Sequence, residues 1–315
     1  MKAVVLDTDD RFHLTEMPDP IPGPGEVAIR VSHAGVQYGD VLARDGHFPL
    51  PRPFVPGFEA AGEIVAVGDG VAATRVGEQV VALIDGGGYA EIVTAPGVLA
   101  IDATGVDPRT AGGFGWVTPT AYDLIHTTAR VRTGDRVLIH AAAGGVGALA
   151  GQFAAAAGAA RIVGVVGNAG QVEPARGFGY HEVLVRDRFP AALGDERFDV
   201  ILDPIGGATR VANLARLAPH GRIAVYGNIA SFEPITVSAN DLLMQGQSLL
   251  TYNSSLASQT RPERLADSAS RAMALVADGS VRIDVTAEYG LADVETAIAD
   301  LADGRTHGKV VVRVG

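Results

Sequence analysis

Residues 142–147 read Ala-Ala-Gly-Gly-Val-Gly, which places small side chains at 142, 144 and 147 in the spacing A-x-G-x-x-G. A dinucleotide site needs that pattern. The first position makes a tight turn, the second lets backbone N–H groups approach a pyrophosphate, and the third lets a helix close onto the preceding strand. Glycine-rich turns are common, so the weight comes from context. An apolar run, Arg136–Ala141, precedes the loop, and an alanine-rich stretch of helical composition follows it to about Ala157. Ala142, Gly144, Gly145, Val146 and Gly147 are therefore the expected pyrophosphate-binding segment, against the alternative of a purely structural turn. After the next strand, Ile162–Val166, the chain has Gly167-Asn168 where an NAD site offers a carboxylate to the adenosine ribose. No carboxylate stands there to repel a 2′-phosphate. Arg186, just beyond the third strand, is the expected phosphate partner and Arg176 a weaker one; a solvated surface arginine is the competing reading for each. NADPH is thus expected over NADH. Gly227-Asn228 should end the fifth strand, at the edge where such sheets present ligands, and Asp203-Pro204-Ile205-Gly206-Gly207 is a strand-end turn near it.

Other chemistries are missing. The 315 residues contain no cysteine, which removes disulfides, thiolate metal sites, iron–sulfur clusters and cysteine nucleophiles. The eight histidines are scattered; His181-Glu182 lacks the second histidine of an HExxH helix, and no G-x-S-x-G elbow is present. With 25 Lys plus Arg against 36 Asp plus Glu, the net charge of -11 disfavours nucleic acid and anionic membranes as partners. No run approaches eighteen consecutive apolar residues, and MKAVVLDTDDRF reads as a first strand better than as a signal peptide, so a cytoplasmic location is expected.

Two textures must position these residues. The first hundred residues are short strands, at Lys2–Leu6, Glu26–Val31, Gly62–Val67, Gln79–Ile84 and Tyr89–Thr94, broken by glycine and proline turns, which predicts a mostly antiparallel β unit. From about Thr118 the pattern alternates strand, turn and helix, with strands at Arg136–Ala141, Arg161–Val166, Val183–Val185, Asp199–Asp203 and Arg222–Tyr226. That alternation implies a doubly wound parallel sheet. The tail offers amphipathic helices at Leu265–Ala277 and Leu291–Leu301 and a strand at Lys309–Val314, a texture that does not suit another βαβ unit. It is assigned back to the first domain, so 119–254 is expected as an insertion between 1–118 and 255–315.

The blocks Gly35–Val71 (GVQYGDVLARDGHFPLPRPFVPGFEAAGEIVAVGDGV), TAYDLI, RVRTGDRVLIHAAAGGVG, DPIGG, VYGN and the closing HGKVVVRV occur in order over nearly the whole chain. Together they resemble the zinc-independent quinone oxidoreductases of the medium-chain dehydrogenase/reductase superfamily. The resemblance implies an α/β protein with a GroES-like catalytic domain, an inserted Rossmann domain, NADPH, and a cleft between domains, near Trp116, where hydride moves. It also implies a homodimer through the Rossmann edge, here the apolar strand Ser248–Tyr252. Zinc-dependent relatives carry a histidine in a GHE block; this chain has Gly57-Phe58-Glu59, and phenylalanine ligates nothing. No metal is expected.

Without a Lewis acid the easiest reaction is hydride addition to an electrophilic carbon, the β-carbon of an enone or a quinone ring. A dedicated biosynthetic enoyl reductase and a non-catalytic NADPH-binding sensor are the rival readings. By the resemblance, Gln37 takes the place of an asparagine near the substrate carbonyl, with bracing of its loop as the alternative, and Thr120 matches a threonine that approaches the nicotinamide, with helix capping as its alternative. Asn253-Ser254 replaces an arginine-proline pair, Leu42 a tyrosine and Gln171 a phosphate-binding lysine, so a more apolar pocket is expected. Asp40 and Arg44 are expected to pair on a short helix. Lys309 is either a cofactor-phosphate ligand or a surface lysine.

Overall fold

The structure, a computed structural model, describes residues 1–47 and 50–315, so Phe48-Pro49 of the 35–71 block lies outside the described residues. The chain divides into two units, Met1–Pro119 with Ser255–Gly315, and Thr120–Ser254. No described helix is long and apolar enough to cross a membrane.

In the first unit, β1 (Lys2–Leu6) and β2 (Phe12–Glu16) form a separate antiparallel pair. Then come β3 (Glu26–Val36), β4 (Glu59–Val67), β5 (Gln79–Leu83), β6 (Ile92–Pro96) and β7 (Ala100–Asp102), all antiparallel to their neighbours. Alternation along β3 and β4 turns Val27, Ile29, Val31 and Ile64 into the core, where they meet Val80, Ala82 and Val310. The short helix Tyr38–Arg44 follows β3 and carries Val41 and Ala43 into that core side of the unit.

The second unit is the parallel sheet. β8 (Arg136–His140), β9 (Arg161–Val166), β10 (Glu182–Val185), β11 (Phe198–Asp203), β12 (Leu217–Val225) and β13 (Ser248–Thr251) lie in the order β10-β9-β8-β11-β12-β13. Every neighbouring pair is parallel. The order reverses between β8 and β11, so a crevice opens at the carboxyl ends of those two strands. Buried Leu138, Val163, Phe198, Ile201 and Ile223 make its core, consistent with strands covered on both faces.

The tail returns to the first unit through β15 (Lys309–Arg313), which pairs antiparallel with β3. One expectation fails here. β14 (Val285–Gly290) runs parallel to β15, with the helix Val294–Ala302 between them, so the tail does contain a βαβ unit. β14 does alternate, with Val285, Ala287 and Tyr289 apolar and Thr286 and Glu288 polar, but it is short and none of its residues is fully buried, so its signal is weak. β2 escaped for a similar reason: all but its first residue are exposed.

Candidate functional site

The glycine loop sits at the carboxyl end of β8. Ala141 takes the positive φ of 53° that turns the chain, one residue before the expected position. Ala142 N–H reaches across to Val165 O at 3.1 Å, and Gly144, extended at φ -80° and ψ 169°, caps the helix Gly145–Ala156. A Cβ on Gly147 would stand 2.2 Å from Ala141 O and 2.8 Å from Ala142 Cα. Only glycine lets this helix start close onto the strand, and the Tyr180 hydroxyl donates to Gly147 O at 2.7 Å to hold it there. Among the described residues no side chain caps the helix, whose first N–H groups lie at the positive end of its dipole without intrahelical acceptors. That is an arrangement for an anion.

Gly167 and Asn168 follow β9 and are exposed. Gln171 turns its amide oxygen back onto Gly167 N–H at 3.1 Å and so braces this turn. Arg186 is exposed after β10, whereas exposed Arg176 is engaged by Glu173 at 3.0 Å. Because the sheet is parallel, the segments after β8, β9, β10, β12 and β13 share one edge; the structure thereby brings Ala142–Gly147, Gly167-Asn168, Arg186, Gly227-Asn228 and Asn253 to that edge.

Sequence reasoning missed the network beneath Gly227-Asn228. Asp203 is fully buried; its Oδ1 accepts Ile205 N–H at 2.7 Å and Gly206 N–H at 3.3 Å, and its Oδ2 accepts Arg210 Nε at 3.0 Å. The same guanidinium donates to Asn228 Oδ1 at 2.9 Å and Gly227 O at 2.7 Å. Behind it, His140 meets Asn213 Oδ1 at 2.7 Å, and burial holds the imidazole below its ordinary pKa. The signal available was Arg210 at the third position after Gly207, on the face of a short helix that has to meet the sheet.

Thr120 is buried as the fourth residue of the helix Val117–Asp123, which excludes the capping alternative. A π-helical turn, Leu124–Thr128, continues that helix, and Asp123 accepts from Thr127 Oγ1 at 2.9 Å and from the Tyr252 hydroxyl at 3.0 Å. The second bond ties the end of β13, and so the approach to exposed Asn253, to this helix.

In the β unit, Gln37 caps the helix Tyr38–Arg44 and folds its side chain over Gly39, whose Cβ would lie 3.5 Å from Gln37 Cδ. Asp40 corrects one expectation. It does not pair with Arg44, which binds Asp45 at 2.7 Å; its Oδ2 accepts Gln37 N–H at 2.9 Å from a buried position. Burial pushes the Asp40 carboxyl up from 3.8 to about 7; the charge of Glu59 adds to this, and the Gln37 hydrogen bond, Tyr89 and Lys309 oppose it. Lys309 corrects another. It is neither a surface lysine nor placed to reach a phosphate: 3% exposed, its ammonium donates to Glu59 Oε1 at 2.5 Å and Val36 O at 3.2 Å. A strand facing the core puts it there, and two lysines in the chain gave no pattern to reveal that. Glu59 Oε2 accepts Trp116 N–H at 2.7 Å, while the Trp116 indole donates to Phe58 O at 2.6 Å. A Cβ on Gly35 or Gly115 would fall 1.9 Å from the Glu59 carboxylate, so both glycines are needed to admit it. Among the described residues no three His, Asp or Glu side chains converge as a metal site.

Two family models match. The alcohol dehydrogenase GroES-like domain covers residues 23–106 and the zinc-binding dehydrogenase model covers 178–312. The chain is 32% identical over 302 residues to a quinone oxidoreductase of Pseudomonas aeruginosa, covering 92% of each chain. It is 30% identical over 302 residues to the phthioceranic/hydroxyphthioceranic acid synthase of Mycobacterium bovis; the match takes in 93% of this chain but 14% of that protein. Among solved structures, the Escherichia coli quinone oxidoreductase complexed with NADPH superposes with a TM-score of 0.86 at 26% identity, covering 99% of this chain and all of that one.

Proposed function

Because the chain belongs to the quinone oxidoreductase family of the medium-chain dehydrogenase/reductase superfamily, we propose that it is an NADPH-dependent reductase of quinones or of the C=C of α,β-unsaturated carbonyls, working without a metal. The observation that carries this is the Gly144–Gly147 turn. Its Cβ-free approach to Ala141 and the uncapped N-terminus of its helix fit a pyrophosphate at the sheet's switch point. Gly167, Asn168 and Arg186 would hold the adenosine end and its 2′-phosphate; Gly227, Asn228 and Thr120 would hold the nicotinamide end. When bound, NADPH supplies the hydride.

This chain's residues then have two tasks. Gln37 donates its amide to the substrate oxygen on which charge develops, a contribution typically about 3 kcal/mol in the transition state. Asp40 fixes the backbone of Gln37. Leu42 in the β unit and Asn253 in the parallel-sheet unit each bring no cation to their own surroundings. Donor chemistry supports the metal-free reading: Phe58 cannot ligate, cysteine is absent, and both oxygens of Glu59 are engaged by Lys309 and Trp116. An exposed edge strand with Leu249, beside exposed Leu243 and Met244, supports a homodimer formed through β13.

The match to a phthioceranic/hydroxyphthioceranic acid synthase supports a narrower second reading, a dedicated enoyl reductase. Stoichiometric NADPH oxidation with 1,2-naphthoquinone and a panel of short and long enones, with chelator present, tests both. Turnover across both panels supports the first reading and turnover of long enones alone the second. NADPH binding with no acceptor reduced overturns both in favour of a non-catalytic binding protein.

A further inference from the structure

Arg210 is 9% exposed and its guanidinium is spent entirely inside the protein. One face meets Asp203 Oδ2 at 3.0 Å, and the other reaches Asn228 Oδ1 at 2.9 Å and Gly227 O at 2.7 Å. A guanidinium has donors and no acceptor, so the carboxamide of Asn228 must present its oxygen inward. Gly206 makes room for that oxygen: a Cβ there would lie 3.2 Å from it. The amide nitrogen of half-buried Asn228 is left facing away from Arg210, with no protein acceptor among the described residues. Asp203 fixes the guanidinium in turn, itself held by the N–H groups of Ile205 and Gly206. The strand ends β11 and β12 and the helix Gly207–Leu214 are thereby locked to one another. Position 228 lies across the switch point from the β9 and β10 ends, on the half of the sheet that takes the second nucleotide of a dinucleotide.

We infer that Arg210 is a positioning residue that sets the polarity of Asn228, so that this position offers a hydrogen-bond donor, and never an acceptor, to an oxygen of the nicotinamide nucleotide. The inference rests on the NADPH reading above. Rotating the amide would oppose two donors in a buried place, so the polarity persists as long as Arg210 does. Arg210 touches no reacting atom; it acts through Asn228.

Calorimetric titration of the full chain with NADPH and with 2′,5′-ADP, which lacks the nicotinamide half, tests this beside the melting temperature of each variant. Arg210→Met and Asn228→Asp are each expected to weaken NADPH about tenfold and leave 2′,5′-ADP unchanged. Arg210→Lys, which keeps a donor toward the amide oxygen, should recover part of the loss. Arg210→Met combined with Asn228→Ala should bind NADPH no worse than Asn228→Ala alone. Unchanged NADPH affinity in Asn228→Asp, or equal losses for both ligands in a folded Arg210→Met, overturns the inference while leaving the cofactor reading intact. Wild-type protein that binds neither ligand overturns the cofactor reading and this inference with it.

Discussion

Each unit buries one arrangement of acids and bases beside its candidate site residues, and the two are satisfied to different degrees. In the parallel-sheet unit, Asp203 accepts three hydrogen bonds and Arg210 gives three, so the buried charges are paired and bonded. In the β unit, Glu59 and Lys309 are paired in a cage that admits no extra atom at Gly35 or Gly115. A second carboxylate, Asp40, lies close enough to feel them, and among the described residues its Oδ1 and the Tyr89 hydroxyl are buried with no partner at hydrogen-bond geometry. A satisfied network holds one geometry over a wide pH range; an unsatisfied one makes its geometry depend on protonation. Gln37 is therefore held by a carboxyl raised to about 7, while Asn228 is held by a guanidinium whose contacts to Asp203, Asn228 and Gly227 are all made.

Breaking the tight pair should have the largest effect. Lys309→Met strands a buried carboxylate and is expected to cost about 3–5 kcal/mol in denaturant unfolding. Adding Glu59→Gln should return much of that loss, and a double mutant as unstable as the single one would deny that the pair is coupled. Gly147→Ala tests the other unit. Its Cβ would meet the Ala141 carbonyl, so the helix must shift, costing roughly 1–3 kcal/mol of stability and loosening NADPH in the same titration.

The contrast in titration is sharpened by Asp40→Asn. With its carboxyl raised to about 7 from 3.8, folded protein holds a proton that the unfolded chain releases. Stability attributable to Asp40 therefore falls as pH rises from about 4 to about 7, at no more than about 1.4 kcal/mol per pH unit, and levels off above. Asn keeps an acceptor for Gln37 N–H and should flatten that slope in melting temperatures taken across pH 4–8; a slope of the same size in the variant assigns it elsewhere. The smallest effect belongs to Arg44→Ala. It removes a partly exposed pair with Asp45 and should move stability by less than about 0.5 kcal/mol, where a larger loss would restore a structural link between Arg44 and the Asp40 cluster.

The parallel sheet was legible because its strands are continuous apolar runs and its loop has a spacing dictated by backbone approach. Gly147 is the clearest instance, since the contact that excludes a side chain is the one the motif describes. β14 alternates over only five residues without one that is fully buried, and β2 is exposed beyond its first residue, so both were passed over and the βαβ unit of the tail was lost with β14. The site was legible where backbone makes it and opaque where distant side chains do. Glu59 and Lys309 are 250 residues apart, and nothing local to either announces the other. Arg210 likewise acquires its role from a turn after β12 that only the folded sheet brings to it.

The central claim is hydride transfer from NADPH to carbon with no metal taking part, and it can be measured at the product. Chelator-treated protein given NADPH deuterated at the transferring position of C4 and an accepted enone should yield product with one deuterium at the β-carbon, at the rate seen without chelator. Product lacking deuterium, or loss of the reaction on chelation and its return with zinc, would contradict it.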